Sequence, residues 1–174
     1  MDSLALGLLF AMLDIALPIG GHEIGLLPSP LGYYLIFQGC VKMADYSRYF
    51  GKIRMPAIVM CVITGLIYVA KLFGFSGGFG FVFSLLPLAG NIYVTYLLVQ
   101  SVRDMESFNK CDLNGKMLWY VWLAVIGVRC LSLFLGIVPI LSTVLMVAEY
   151  AVTILFVLSF YRCKTLFHKE ETSE

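Results

Sequence analysis

Lys42-Met43-Ala44-Asp45-Tyr46-Ser47-Arg48-Tyr49-Phe50-Gly51-Lys52-Ile53-Arg54 places four cations between two apolar runs. The pattern recurs in two further stretches. One holds Arg103, Lys110 and Lys116, and the other, in the tail, holds Arg162, Lys164 and Lys169. Together the three stretches contain ten of the twelve Lys and Arg; only Lys71 and Arg129 lie elsewhere. The connections between them, at Gly20–Pro30, Gly74–Gly80 and Gly136–Pro139, carry no Lys or Arg. Positive charge collects on the cytoplasmic side of a membrane protein. The charge pattern therefore predicts both termini inside and three helical hairpins pointing outward.

Composition agrees. Hydrophobic residues make up 60% of the 174 residues and charged residues 13%, against about 25% charged in a soluble domain. Mean hydropathy is +0.91. A chain of this length cannot hide so much apolar surface from water, so the bilayer must act as its solvent. A spanning helix needs roughly 20 apolar residues. The expectation is an all-α polytopic membrane bundle of six transmembrane helices, at about 3–19, 31–47, 55–73, 79–102, 117–136 and 138–161. These form one transmembrane domain over 1–174, with a cytoplasmic polar tail at 162–174. In hydrocarbon every backbone group must be satisfied internally, which requires helices. The start, Met1-Asp2-Ser3, lacks the basic segment of a signal peptide, so the first run reads as a permanent helix. The expected location is the bacterial inner (cell) membrane.

Outward loops are rich in Gly and Pro, the residues of turns. The first is the longest and is expected to fold back against the bundle. Pro87 falls inside span four and predicts a kink there. Phe50-Gly51-Lys52, Phe108-Asn109-Lys110 and Phe167-His168-Lys169 follow the even-numbered spans 58 and 59 residues apart. Either the hairpins are three copies of one unit, or each cytoplasmic helix end has an aromatic anchor beside a lysine.

Four residues are candidates for a ligand or ion pathway: Asp14, Asn91, Arg129 and Glu149. Three are ionisable groups inside spans, where a charge costs at least ~3 kcal/mol. Helical spacing groups Ser3, Gly7, Ala11 and Asp14; Thr64, Tyr68 and Lys71; Ser84, Asn91 and Thr95; and Ser142, Met146, Glu149 and Thr153, each on one face. Two readings compete. Arg129 pairs with Glu149 or Asp14 and pins helices together, or these groups line a cavity for a polar or ionic solute. Lys71 reads as a snorkelling interfacial anchor. Gly7-xxx-Ala11 fits the small-xxx-small pattern of close helix contact.

Other classes lack a signal. No HExxH, GxSxG, phosphate-binding loop or pair of carboxylates on one helix is present, so no catalytic residue and no enzyme activity is expected. Five Cys without CxxC or Cys/His spacing read as small buried hydrophobes, not a disulfide framework or metal site. His22-Glu23 is a weak metal pair. No cofactor is expected, and a net charge of +1 gives no sign of nucleic-acid binding. Expected partners are the lipid bilayer, a small solute, and a membrane protein or second copy of the chain.

Leu27-Pro28-Ser29-Pro30-Leu31-Gly32-Tyr33-Tyr34-Leu35-Ile36-Phe37-Gln38-Gly39, followed by Tyr49-Phe50-Gly51-Lys52, resembles a segment of small uncharacterised bacterial six-span integral membrane proteins. Ser29 and Pro30 stand where that family more usually has an acidic and an aromatic residue. The resemblance implies a helix starting near Gly32-Tyr33 and brings no activity or site residues. Size and span count also look like the substrate-binding subunits of energy-coupling-factor vitamin transporters. By that analogy Ala5, Gly7 and Ala11 on the first helix would form a docking stripe.

These expectations lead to a protein that binds or transports a small polar or ionic solute. The alternative is a non-catalytic subunit or scaffold that stabilises a partner complex.

Overall fold

A computed structural model describes residues 2–12, 16–19, 22–25, 29–44, 46–72, 80–109, 114–135 and 139–171. Their order is α1 (Asp2–Met12), β1 (Ala16–Ile19), β2 (His22–Gly25), α2 (Ser29–Lys42), α3 (Arg48–Leu72), α4 (Gly80–Asn109), α5 (Gly115–Leu135) and α6 (Pro139–Glu171). Among the described residues, four helices are long and apolar enough to cross a membrane, over Arg48–Ala70, Leu85–Phe108, Gly115–Ser132 and Leu141–Cys163. Their outward faces are apolar, as at Met55, Val59, Val62 and Leu66 of α3 and Val144 and Val147 of α6. These are the faces a bilayer solvates.

Two compact units make up the chain, Met1–Leu98 and Val99–Glu174. In the first, the expected helix over 3–19 stops at Met12, and Ala16–Ile19 pairs antiparallel with His22–Gly25. Among the described residues the elements are helical, as expected, apart from this short hairpin. Pro18 gives the physical reason. Its ring would clash with the carbonyl four residues back, and it cannot donate to a helical ladder; the residue before it is also turned from the α region. The described register ends at Ile19 paired with His22. β2 packs against α3, so the segment between α1 and α2 folds back onto a helix of the same unit.

α1 and α2 pack antiparallel through small residues. A Cβ on Gly7 would lie 2.7 Å from the Ile36 amide nitrogen and 2.8 Å from the Gly32 carbonyl oxygen. A Cβ on Gly32 would lie 2.5 Å from the Ala11 amide nitrogen. Leu4 covers Gly39 in the same seam. The small-residue stripe of the first helix thus contacts this chain's own α2. α2 buries Gly32, Tyr33, Ile36, Gly39 and Cys40, which share one helical face.

α3 starts earlier than the span expected from residue 55. Ser47 is its N-cap, its Oγ accepting from the Tyr49 amide at 3.2 Å. α2 and α3 run antiparallel. Arg54 Nη2 donates to the Val41 carbonyl at 3.3 Å, and Cys61 Sγ to the Pro30 carbonyl at 3.3 Å. Phe50 is fully buried while Phe108 is 83% exposed. The two Phe-x-Lys positions therefore differ in burial although they share a sequence context. α4 continues as helix through Pro87, and Met60 of α3 fills the space over Gly90.

In the second unit the end of α4 packs antiparallel to the start of α5. Glu106 Oε2 accepts from the Gly115 amide at 3.1 Å, and the Arg103 guanidinium lies 5.4 Å over the Trp119 ring. Asn114 precedes α5 with φ 59°, a left-handed conformation that Asn tolerates. α6 buries Leu145, Thr153, Phe156, Phe160 and Cys163, a 3.6-residue stripe that also contains Glu149. Met146, expected on that stripe, is 54% exposed. Leu145 takes the inward place because its spacing of four from Glu149 keeps phase with Thr153 and Phe160.

Candidate functional site

Among the described residues, each unit holds a polar arrangement within its apolar helices. In the second, Arg129 of α5 donates from Nε to Glu149 Oε1 of α6 at 3.0 Å. The side chains are 10% and 35% exposed. Both lie within the windows of α5 and α6 able to cross a membrane. A lone charge there is expensive, and the direct contact gives each the opposite charge it needs. Of the two partners considered for Arg129, Glu149 is in contact with it and Asp14 lies outside the described residues.

In the first unit, Asn91 of α4 is buried. Its Nδ2 donates to the Ala11 carbonyl at 3.3 Å and to the Tyr33 hydroxyl oxygen at 3.2 Å. A primary amide has two N–H bonds, which matches two acceptors. The reason for an acceptor at Ala11 is local. α1 ends at Met12, and the last four carbonyls of a helix have no intrahelical donor. One of them meets an amide from a helix 80 residues on. Beside it, Thr95 Oγ1 donates to the Asn91 carbonyl at 2.7 Å. Thr64, buried on α3, donates to the Met60 carbonyl at 2.6 Å.

The four sequence candidates divide accordingly. Arg129 and Glu149 are brought together, Asn91 belongs to the other unit, and Asp14 lies outside the described residues. Lys71 falls in the last turn of α3, and His22 and Glu23 are neighbours on β2. Among the described residues no group of three or more His, Cys, Asp or Glu is placed to hold a metal. Cys40, Cys61, Cys130 and Cys163 are free thiols. Tyr33 and the Ala11 carbonyl are functional groups that sequence reasoning missed. The signal for Tyr33 was its place in the Gly32–Gly39 buried face. Nothing in the sequence pairs a backbone carbonyl with Asn91 over this distance. Comparison with family models, curated proteins and solved structures gave no match.

Proposed function

We propose that this chain is a six-helix integral protein of the bacterial inner membrane that binds or transports a small polar or ionic solute. In this reading both termini are cytoplasmic and the helices form three outward hairpins. The observation that carries it is the contact of Asn91 with the Ala11 carbonyl and the Tyr33 hydroxyl. A helix that stops among apolar neighbours leaves carbonyls that only a protein donor or a bound solute can satisfy. Broken helices with polar side chains at the break are where membrane proteins hold polar cargo. Asn91 and Tyr33 supply amide and hydroxyl chemistry without net charge, which suits a polar solute with both donors and acceptors. Transport would require the Asn91 contacts to open, so that a solute replaces one partner with its own.

A second reading, a non-catalytic subunit or scaffold, is favoured by the direct Arg129–Glu149 contact. A closed ion pair neutralises both charges and needs no ligand. The two readings separate in a thermal-unfolding screen of the purified chain. The panel comprises amino acids, nucleobases, sugars and inorganic ions at millimolar concentration. The solute reading expects one class to raise Tm, and Asn91→Ala to remove that rise. A panel with no effect, together with stabilisation by a co-purifying membrane protein, would establish the scaffold instead.

A further inference from the structure

The α2–α3 turn and the helix ends that flank it, Lys42 to Arg54, hold four cations against one acid, Asp45. Lys42, Arg48 and Lys52 are exposed and Arg54 is partly buried. The single ion pair found among the described residues is Arg129–Glu149, so none of these four meets a carboxylate there. Arg48 and Lys52 are one turn apart on the same face of α3, and like charges at that spacing repel. They also occupy the first two turns of a helix with no acidic residue in its first turn. That is the positive end of the helix dipole, where cations are disfavoured. Arg54 adds an unmet donor. Its Nη2 is held by the Val41 carbonyl at 3.3 Å, while its buried Nε has no acceptor. The like-charge repulsion and the unfavourable dipole placement of the exposed cations are both relieved by an anion.

We infer that this turn binds the phosphate headgroups of anionic phospholipids, with Lys42, Arg48 and Lys52 as the contacting cations. The inference rests on α3 crossing a membrane. Its apolar window begins at Arg48 itself, so the cations stand at the depth of the headgroups and not out in solution. Aromatic groups suited to that depth accompany them: the Lys52 ammonium lies 5.0 Å over the Tyr49 ring, and Tyr46 is exposed. The excess charge at this end of the first unit complements an anionic leaflet, where a basic residue adds about fivefold in affinity. The surface thus does more than set orientation; it selects lipids by headgroup charge. The anchoring is electrostatic, so it depends on net charge more than on side-chain shape.

The test uses the full chain in an uncharged detergent. Lipid retention is read by native mass spectrometry with phosphatidylglycerol, phosphatidylcholine or inorganic phosphate added. Phosphatidylglycerol should be retained at least tenfold more than phosphatidylcholine. Lys42→Gln/Arg48→Gln/Lys52→Gln should abolish that preference, and Lys116→Gln, at an exposed cation outside the turn, should keep it. Circular dichroism confirms that each variant is folded, which the exposure of all the replaced side chains favours. Equal retention of the two lipids overturns the inference, as does a preference that survives the triple substitution. Inorganic phosphate competing as well as the lipid would reduce the site to a general anion site and overturn the lipid assignment. Displacement of phosphatidylglycerol by an acidic soluble protein would do so too.

Discussion

Arg129 Nε and Glu149 Oε1 are 3.0 Å apart, joining α5 to α6 across 20 residues of sequence. Arg129 is nearly enclosed, and Glu149 keeps about a third of its surface open. The pair therefore has a buried side and an open side, and the open side is the carboxylate.

Removing either member should destabilise the second unit more than removing both. Arg129→Ala leaves Glu149 uncompensated in an apolar setting, at a cost on the order of 3 kcal/mol. Arg129→Met/Glu149→Leu removes both charges and should cost clearly less than the sum of the single replacements. Equilibrium unfolding in mixed micelles measures the cycle. Additive single and double effects would mean that the contact carries no coupling and that each residue acts on something else.

Gly7 and Gly32 should tolerate no side chain. Every close neighbour of a Cβ on Gly32, and two of the three on Gly7, are backbone atoms, which cannot move away by changing rotamer. Gly7→Ala and Gly32→Ala are expected to cost about 1–3 kcal/mol through overpacking. Gly127→Ala meets nothing within 4 Å, and the helical preference of Ala should make it neutral or up to ~1 kcal/mol stabilising. Thermal unfolding of the three variants side by side decides the matter. A Gly7→Ala protein as stable as Gly127→Ala would contradict the packed α1–α2 seam.

Asn91→Ala should loosen the end of α1. It strips the Ala11 carbonyl of its amide donor, a loss of about 0.6–2 kcal/mol for a polar contact between membrane helices. Tyr33→Phe leaves the Ala11 contact in place and should cost less. Hydrogen exchange of the α1 amides after Asn91→Ala should quicken while α5 is unaffected. Unchanged exchange in α1 would show that the Ala11 contact does not hold the helix end.

Much of this was legible in the sequence because hydrophobic length and charge placement are local quantities. The apolar runs of α3, α4, α5 and α6 are each long enough to announce a helix. Arg129 needed an acid on energetic grounds alone, and Glu149 was one of two within spans that could serve. What was not legible depended on the backbone. Pro18 falls inside the expected first span, yet it lies on a strand and the helix before it is shorter than the apolar run. Ser47 caps α3, so the basic stretch lies largely within a helix and not in a loop. Ala11 entered the polar cluster through its carbonyl, which the chemistry of its side chain cannot forecast. Phe50 and Phe108 share a sequence context, yet one is core and the other surface. Their neighbours in space differ where their neighbours in sequence do not.

The length of the first two helices makes their crossing of the bilayer a sharp question. α1 has 11 residues and α2 has 14. At 1.5 Å per residue they span roughly 16 and 21 Å, short of the ~30 Å hydrocarbon core. The six-helix topology requires the remaining distance to be covered by the hairpin segment, with its polar backbone buried in protein as membrane depth demands. Single cysteines at His22, Lys52 and Lys116, in a background with the five native Cys replaced by Ala, report the arrangement. A membrane-impermeant maleimide on intact cells should label His22→Cys and spare the other two. Opened cells should reverse the protection of Lys52→Cys and Lys116→Cys. If His22→Cys is instead labelled only after opening, α1 and α2 form a re-entrant pair on the cytoplasmic side. The chain would then cross four times, through the helices whose length already suffices.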